Sequence, residues 1–295
     1  VIEVTVQSAT IRLDAFRSGP VSSGGQALAQ LKAPALAILS PTETHTATVY
    51  ATERIGHLPL TDLVVTTTVI FGQGDVVWVD DDWVGLPNGT VVTLPGYVGG
   101  GSASIGSDAF DTIPGGVQGV KTNGTVRVLA GTYPLPVVVT RTMHLVGDGS
   151  SSTFIQGAGS GTGVVVRRPG DGVTIDGFTI RDFGLGVYLD GRTANHIDGF
   201  QFVNNALINN ATGAITATFV DKGYFADNEI YAGSGYGIDL YNGNTPSFVG
   251  NRLHDIGGFG LRARSTTGAL ISHNSLQNLG WNGIVVGDSS SNTSV

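Results

Sequence analysis

Three consecutive aspartates stand between two tryptophans in the segment DVVWVDDDWVG, residues 75–85. Adjacent carboxylates in a turn can bind Ca²⁺ through side-chain and backbone oxygens. No D-x-D-x-[DN]-G loop follows, and the next residues, WVGLPNGT, supply few further oxygen ligands. The pattern therefore favours a solvated turn after a strand, with a Ca²⁺ site at Asp80, Asp81 and Asp82 as the alternative and no other cofactor indicated.

An internal repeat in the second half determines which elements position the polar side chains. The segments FVNNALI, FADNEIY, FVGNRLH and ISHNSLQ align with 23 residues between successive asparagines, at Asn205, Asn228, Asn251 and Asn274. Apolar residues stand three positions before each asparagine (Phe202, Phe225, Phe248, Ile271) and two after it (Leu207, Ile230, Leu253, Leu276). So short a unit buries its apolar face only by stacking on its neighbours. The repeat predicts a solenoid with the asparagines in a structural ladder inside a turn.

A glycine that opens a short strand follows each copy, at Gly163, Gly186, Gly213, Gly237, Gly260 and Gly283. Together with GTVRVLAGTYPLPVVVTRTMHLVGDG at 124–149, these repeats resemble the right-handed parallel β-helix proteins of the pectate-lyase-like superfold, of the bacterial and archaeal extracellular surface type. The resemblance covers residues 75–295. It implies an all-β chain folded as a right-handed parallel β-helix with an N-terminal helical cap.

The cap is expected just before the coils. Ala109, Phe110, Ile113 and Val117 fall at helical spacing, with Asp108 as the N-cap candidate. Residues 75–295 are therefore expected to form the β-helix, with the opening strand and cap in 75–123 and the coils in 124–295.

The first 74 residues differ in texture from the repeats. VIEVTVQSATIRL alternates apolar and polar residues, and two later segments also have strand patterns. Residues 1–74 are expected to form a small β-sandwich-like or partial β domain. An incomplete sheet with an alternating strand at the chain start could exchange that strand with a neighbour.

The positions two and four residues after each repeat glycine are expected to face outward, because those one and three after it are mostly apolar. The same rule predicts that Ile215 and Ala217 also face outward. The resulting outward face, within residues 188–264, carries Tyr188, Asp190, Asp239, Tyr241, Arg262 and Arg264. Acid, base and aromatic groups on one flat face suit sugar binding, with Tyr188, Asp190 and Tyr241 as candidate glycan contacts.

The resemblance also implies an enzymatic alternative. Polysaccharide lyases and epimerases of this superfold use an arginine or lysine as the base that abstracts a proton α to a uronate carboxylate, and acids or Ca²⁺ to neutralise that carboxylate. By this resemblance, Arg262 or Arg264 would be the base in this chain, and Asp239 the charge or metal partner. The D-P-H, G-Y-Q-D-T-L-Y, N-T-D and G-x-D-D motifs of such enzymes are absent. A surface ion pair between Asp239 and Arg262 is the simpler explanation, so no catalytic residue is assigned.

Composition excludes several partners. A net charge of −8 without a Lys/Arg cluster argues against nucleic acid. No apolar run reaches the length of a membrane span, and the absence of cysteine rules out disulfides and thiol chemistry. Only 13% of residues are charged and 45 are glycine, which is typical of an extracellular or cell-surface protein.

The expected function is a non-enzymatic extracellular surface protein that serves as an adhesion, sheath or filament subunit. Residues 283–295 show no capping helix, and an open β-helix end favours head-to-tail self-association into a homopolymer or surface array. The alternative is a polysaccharide lyase or epimerase, or a non-catalytic glycan-binding module, that uses the face at residues 188–264, with a polysaccharide as partner.

Overall fold

The structure is a computed structural model that describes residues 74–295 and, for residues 2–70, the backbone of the strands. The chain divides into two compact units, residues 1–73 and 74–295. Among the described residues, no helix has both the length and the apolar character needed to cross a bilayer.

The first unit contains a four-stranded antiparallel sheet. Its strands lie in the order Ala9–Leu13, Ile2–Val6, Thr44–Ala51, Leu63–Ile70, and Arg54–Ile55 pairs separately with Leu58–Pro59. The strand Ile2–Val6 pairs on both sides, so it is a central strand. The expectation of an unpaired strand at the chain start was therefore wrong: the edges of this sheet are Ala9–Leu13 and Leu63–Ile70.

The second unit is an all-β right-handed solenoid of about seven turns, built from three parallel sheets that share one apolar core. Sheet 1 runs Ala109–Phe110, Gly74–Val79, Val120–Val128, Met143–Gly147, Thr174–Asp176, Gln201–Val203, Tyr224–Ala226, Ser247–Val249, Leu270–Ser272. Sheet 2 runs Gly131–Tyr133, Thr153–Gln156, Thr179–Arg181, Ala206–Ile208, Glu229–Tyr231, Arg252–Ile256, Ser275–Leu279. Sheet 3 runs Val137–Val139, Thr162–Arg167, Leu185–Asp190, Gly213–Thr218, Tyr236–Asn244, Leu261–Thr267, Ile284–Gly287.

The predicted solenoid repeat is confirmed by the strand register. In sheet 1, Phe202, Phe225, Phe248 and Ile271 lie directly above one another, and in sheet 2 Leu207, Ile230, Leu253 and Leu276 do the same. The rings of Phe225 and Phe248 stack with centroids 5.2 Å apart. Each fully buried phenylalanine contributes about 2–3 kcal/mol of transfer free energy, so the column stabilises the coils by packing each on the next.

The register of sheet 3 differs from the predicted one in a single coil. Gly213 was predicted to be the equivalent of Gly186 and Gly237, but it pairs with Leu185 and Tyr236. The true equivalent of the two glycines is therefore the next residue along the chain. The turn after Leu207 is one residue longer than the turn after Ile180, which moves the strand by one position. Ile215 and Ala217 therefore point into the core, and Thr216 and Thr218 take the outward positions assigned to them.

The segment before the coils contains one short α-helix, Ile113–Gly119. The hydroxyl of Thr112 caps it by accepting a hydrogen bond from the Gly115 amide at 3.3 Å. The expectation that Ala109 and Phe110 are helical, with Asp108 as N-cap, was wrong: they form a strand beside Gly74–Val79, and the Asp108 carboxylate accepts from the Ser104 amide at 2.6 Å. Pairing with a neighbouring strand outweighed the local helical spacing.

Smaller elements complete this unit. The 3₁₀ turns are Asp81–Trp83 and Gly96–Val98, and Val91–Thr93 pairs antiparallel with Ser102–Ser104. Ile197–Asp198 pairs in parallel with Val220–Asp221. A second apolar cluster, which includes Trp83, Leu94 and Ile105, is formed mainly by the segment between the opening strand and the helix.

Candidate functional site

The four repeat asparagines lie in one file along the solenoid. The Asn205 amide donates to Oδ1 of Asn228 at 3.0 Å, Asn228 to Asn251 at 3.1 Å and Asn251 to Asn274 at 2.9 Å. Their Nδ2 groups donate to backbone carbonyls of the preceding coil, for example Asn251 to Phe225 at 2.8 Å. Asn205, Asn228 and Asn251 are buried, so these bonds satisfy backbone groups that have no access to water, and the ladder is structural.

The outward side of sheet 3 carries the predicted sugar-binding residues, and we call this surface the arginine face. It comprises Arg167, Tyr188, Asp190, Arg192, Asp239, Tyr241, Arg262 and Arg264. Its flatness follows from the parallel register, which stacks outward positions of successive coils at a spacing of about 4.8 Å. The structure thus brings together all six residues that the sequence placed on this face.

Asp239 is the centre of one charge cluster on the arginine face. Arg262 donates to it through two atoms, Nε to Oδ1 at 2.9 Å and a terminal nitrogen to Oδ2 at 2.6 Å. Arg264 adds a bond to Oδ2 at 3.0 Å. Only 9% of the Asp239 side chain is exposed, and two guanidinium groups compensate its burial. Arg264 also lies 3.8 Å from the exposed carboxylate of Asp288, so the surface around Asp239 holds two arginines and two carboxylates.

Asp190 is the centre of a second cluster, which also contains two arginines. Arg167 approaches its Oδ2 at 3.3 Å and Arg192 at 3.1 Å, while the Tyr188 hydroxyl donates to Oδ1 at 3.3 Å. The Asp190 side chain is 8% exposed, whereas those of Arg167 and Arg192 are 54% and 73% exposed. Their guanidinium groups therefore face solvent while anchored to a buried carboxylate.

The aromatic rings of the arginine face are partly covered by cations. The Arg264 guanidinium lies 5.2 Å from the Tyr241 ring centroid, so one ring face of this predicted sugar platform is occupied. At the edge of the face, Tyr236 and Phe259 stack with centroids 5.2 Å apart, and the Arg262 guanidinium lies 4.1 Å from the Phe259 ring. The Tyr236 hydroxyl is 2.7 Å from Oγ1 of Thr216.

The electrostatics of the face favour anion recognition over proton abstraction. Hydrogen bonding to Asp239 raises the pKa of Arg262 above its ordinary value, with burial acting in the opposite direction. A base must lose its proton before it can act, and this pairing makes that loss harder. Both oxygens of Asp239 are already bound by arginines, so neither is available to a metal ion without breaking these bonds.

Two of the three aspartates at 80–82, Asp80 and Asp81, accept hydrogen bonds from the backbone. Oδ1 of Asp80 accepts from the Asp82 amide at 3.1 Å and caps the 3₁₀ turn, and Oδ2 of Asp81 accepts from the Thr132 amide at 2.8 Å. Burial, followed by the charges of Asp82 and Asp81, raises the pKa of Asp80 against the opposing effect of its backbone hydrogen bond. The three carboxylates offer oxygens within 4.8 Å of one another, which is close enough for a cation.

Two groups of residues were not predicted from the sequence to belong to a site. Arg192 lies beyond the strand, outside the offset rule, and reaches Asp190 only through the turn that follows. On sheet 2, His254 lies 2.7 Å from Asp255 and 3.3 Å from Glu229, and its ring stacks on Tyr231 with centroids 5.0 Å apart. The 23-residue alignment of sheet 2 could have shown that Tyr231 and His254 are neighbours.

Comparison with known proteins gives the fold and little else. Residues 162–295 match the family model described as the right-handed β-helix region. A search of curated proteins found no match. Among solved structures, an alginate lyase from Paenibacillus sp. str. FPU-7 is similar at 16% identity and a TM-score of 0.47, covering 58% of this chain and 65% of that one.

The pectin methylesterase PemA from Erwinia chrysanthemi is similar at 13% identity and a TM-score of 0.37, covering 57% of this chain and 62% of that one. This chain thus spans less than two thirds of either enzyme, and likeness at this level says nothing of activity. Residues 74–295 form a right-handed parallel β-helix.

Proposed function

We propose that this protein binds an acidic polysaccharide on the arginine face without transforming it, as an adhesion component at the cell surface. One observation carries the proposal: Asp190 and Asp239, both buried, are each held by two arginines, so four guanidinium groups lie on one surface, and the further carboxylate beside them is that of Asp288, 3.8 Å from Arg264. The chain as a whole has a net charge of −8, which makes this concentration of cations on one flat surface unusual for the molecule.

The chemistry of the clusters suits uronate carboxylates. A guanidinium group binds a carboxylate through two parallel hydrogen bonds, and a guanidinium already anchored loses less conformational entropy on binding. Arg192 and Arg167 keep more than half of their side-chain surface exposed while anchored to Asp190. The clusters centred on Asp190 and Asp239 lie two coils apart, which is about 10 Å at the spacing of parallel strands. An extended acidic chain could therefore contact both.

A polysaccharide lyase or epimerase on the same face is the enzymatic alternative. It would use Arg262 or Arg264 as base and Asp239 as charge or metal partner. The raised pKa of Arg262 and the complete engagement of Asp239 support binding in preference to this chemistry. Unsaturated uronate products, detected by their ultraviolet absorbance after incubation with the polymer, would favour the enzyme.

The binding proposal is tested with polygalacturonate and alginate as acidic probes and dextran as the neutral probe. In affinity electrophoresis we expect retardation by the acidic polymers only, weakening as salt is raised because the contacts are charged. Arg192→Ala is expected to lower the affinity about fivefold, since one exposed charge contact is worth about 1 kcal/mol.

Arg252→Ala is the matched control for Arg192→Ala. Arg252 is also an exposed arginine paired with a carboxylate, Glu229, but it lies on sheet 2, with 53% of its side chain exposed. The Arg252→Ala variant should leave the affinity for the acidic polymers unchanged. Equal retardation by dextran, or equal losses in the two variants, would contradict the proposal.

A structural role is the second candidate, and the free strand edges at the last coil favour it. Ser275–Leu279 and Ile284–Gly287 pair on one side only among the described residues, whereas Ser294 bridges to Leu270 in sheet 1 and Ser291 bridges to Thr267 at the end of a sheet 3 strand. Unpaired edges of parallel sheets accept a further coil, from the same chain or from a second copy. A second copy in this position would build an extracellular filament or sheath by head-to-tail docking.

Negative-stain electron microscopy of the purified protein tests this second role. Ordered fibres with one axial repeat would support head-to-tail assembly. A single monomeric species in sedimentation velocity over a hundredfold range of concentration would contradict it.

A further inference from the structure

Trp281 is the most exposed aromatic side chain among those the structure describes. Its exposed fraction is 72%, compared with 39% for Tyr224 and Tyr241, and Trp83 is buried. It lies in the turn between Ser275–Leu279 and Ile284–Gly287, which leads directly onto the arginine face. An indole ring so exposed is fully accessible to a ligand, and tryptophan offers a large rigid apolar face for contact with one.

The turns stacked before Trp281 have no side chain at the aligned position. The Trp281 amide donates to the Gly258 carbonyl at 3.1 Å, and the Gly258 amide donates to the Gly235 carbonyl at 2.7 Å. A Cβ atom on Gly258 would lie 2.8 Å from the Gly235 carbonyl oxygen, so this position must be glycine. Bare backbone therefore lies beside Trp281, and no side chain at these positions can cover its ring.

Trp281 is connected to the cations of the arginine face through the backbone of the preceding coil. Gly258 is followed by Phe259, whose ring stacks on Tyr236 and has the Arg262 guanidinium 4.1 Å from its centroid. Arg262 in turn binds Asp239. The Phe259 ring is buried, so Trp281 is the ring at this end that a ligand can reach, and it is connected to Arg262 through the backbone of Gly258 and Phe259.

We propose that Trp281 is an aromatic subsite that stacks on one pyranose ring of the same acidic glycan whose carboxylates bind the arginine face. This inference rests on the proposed binding function. The C–H faces of a pyranose ring are apolar and pack against an indole, while the carboxylate on the same sugar remains in solvent or meets a cation. Such a subsite would select polymers with at least one unsubstituted ring face beyond the arginine contacts.

Tryptophan fluorescence of the full chain tests the subsite, because Trp78 and Trp83 are less accessible than Trp281. Acrylamide, a neutral quencher, should quench mainly Trp281. Polygalacturonate is expected to protect this signal, and Trp281→Ala should abolish the protected component. The affinity measured by electrophoresis should fall about threefold to tenfold in Trp281→Ala and remain close to wild type in Trp281→Phe.

Leu270→Ala is the matched control, since Leu270 is an apolar residue near the same end, 41% exposed, on sheet 1. Its affinity should equal that of the wild type. If Arg192→Ala weakens binding while Trp281→Ala does not, and acrylamide reaches Trp281 equally with and without polymer, the subsite is overturned and the binding proposal stands. If no acidic polymer binds, both fail. Shielding of Trp281 that grows with protein concentration alone would overturn the subsite and place Trp281 between two copies.

Discussion

Among the residues that the structure describes from position 74 onward, the buried carboxylates Asp190 and Asp239 are both compensated by hydrogen bonds. Asp239 accepts three bonds from two arginines, and Asp190 accepts bonds from Arg167, Arg192 and Tyr188. The desolvation of a carboxylate costs several kcal/mol, which these charge-assisted bonds offset. The same pairing raises the pKa of Arg262, through its hydrogen bonds to Asp239.

Asp221 gives a prediction for the dependence of stability on pH. Burial raises its pKa, but hydrogen bonds from His196 and Asn244 and the charge of His196 together bring the pKa below the ordinary value of 3.8. A lowered folded-state pKa gives stability that is present above pH 3.8 and is lost as the pH falls through the folded value. Asp221→Asn keeps the shape and the acceptor oxygen while it removes the charge.

We expect Asp221→Asn to lower the free energy of unfolding by about 1 kcal/mol at pH 6, with a difference that shrinks steadily below pH 3.8. Urea denaturation of both proteins at several pH values measures this. A difference that stays constant between pH 6 and pH 2 would show that the charge of Asp221 has no part in it.

At the scale of elements, the asparagine file binds successive turns together. Each side-chain amide accepts from a backbone N–H of the preceding coil and donates to a backbone carbonyl of that same coil, as Asn251 does with Asn228 and Phe225. Loss of one side chain therefore leaves two buried backbone groups without partners. These hydrogen bonds hold successive coils together inside the turn, as strand pairing does along the sheets.

Asn251→Ala should accordingly be more destabilising than Asn274→Ala. Asn251 is fully buried, and removing its side chain is expected to cost about 2–4 kcal/mol, whereas Asn274 is partly exposed and water can replace its bonds, so about 1 kcal/mol is expected. Thermal unfolding followed by circular dichroism compares the two. Equal costs would mean that burial of the ladder does not determine its contribution.

The whole solenoid is a one-dimensional stack, since each coil of 74–295 pairs with the coils before and after it. Stability in such stacks is a sum of coil terms and nearest-neighbour terms, so coils with two neighbours are more stable than a terminal one. The inward side chains Phe225 and Phe248 of the central coils are completely buried, whereas Ile284 is only partly buried and Val286 is 39% exposed.

Hydrogen exchange on the full chain should follow this order. We expect amides of Tyr224–Ala226 and Ser247–Val249 to be the most protected and those of Ile284–Gly287 to exchange fastest among the strands of sheet 3. Uniform protection along 74–295 would instead indicate that the last coil is covered, as it would be in a head-to-tail assembly.

The sequence by itself determined the architecture. Asn205 to Asn274 recur every 23 residues, with apolar residues at fixed positions before and after each asparagine. A unit of that length cannot bury its own apolar face, so the repeat predicts stacked coils. The outward positions of Asp239, Tyr241, Arg262 and Arg264 followed from the two-residue alternation of strands. These are periodic signals, and periodicity is what a sequence displays directly.

Only the tertiary structure decided the features that depend on turn length and on distant neighbours. One additional residue after Leu207 changed which side chains of Gly213–Thr218 face outward, and Arg192 reached Asp190 from outside the strand. Ala109–Phe110 became a strand because Gly74–Val79 offered it an edge to pair with. Turn geometry and long-range pairing set these positions because their free energies arise between segments far apart in the chain, where no local pattern records them.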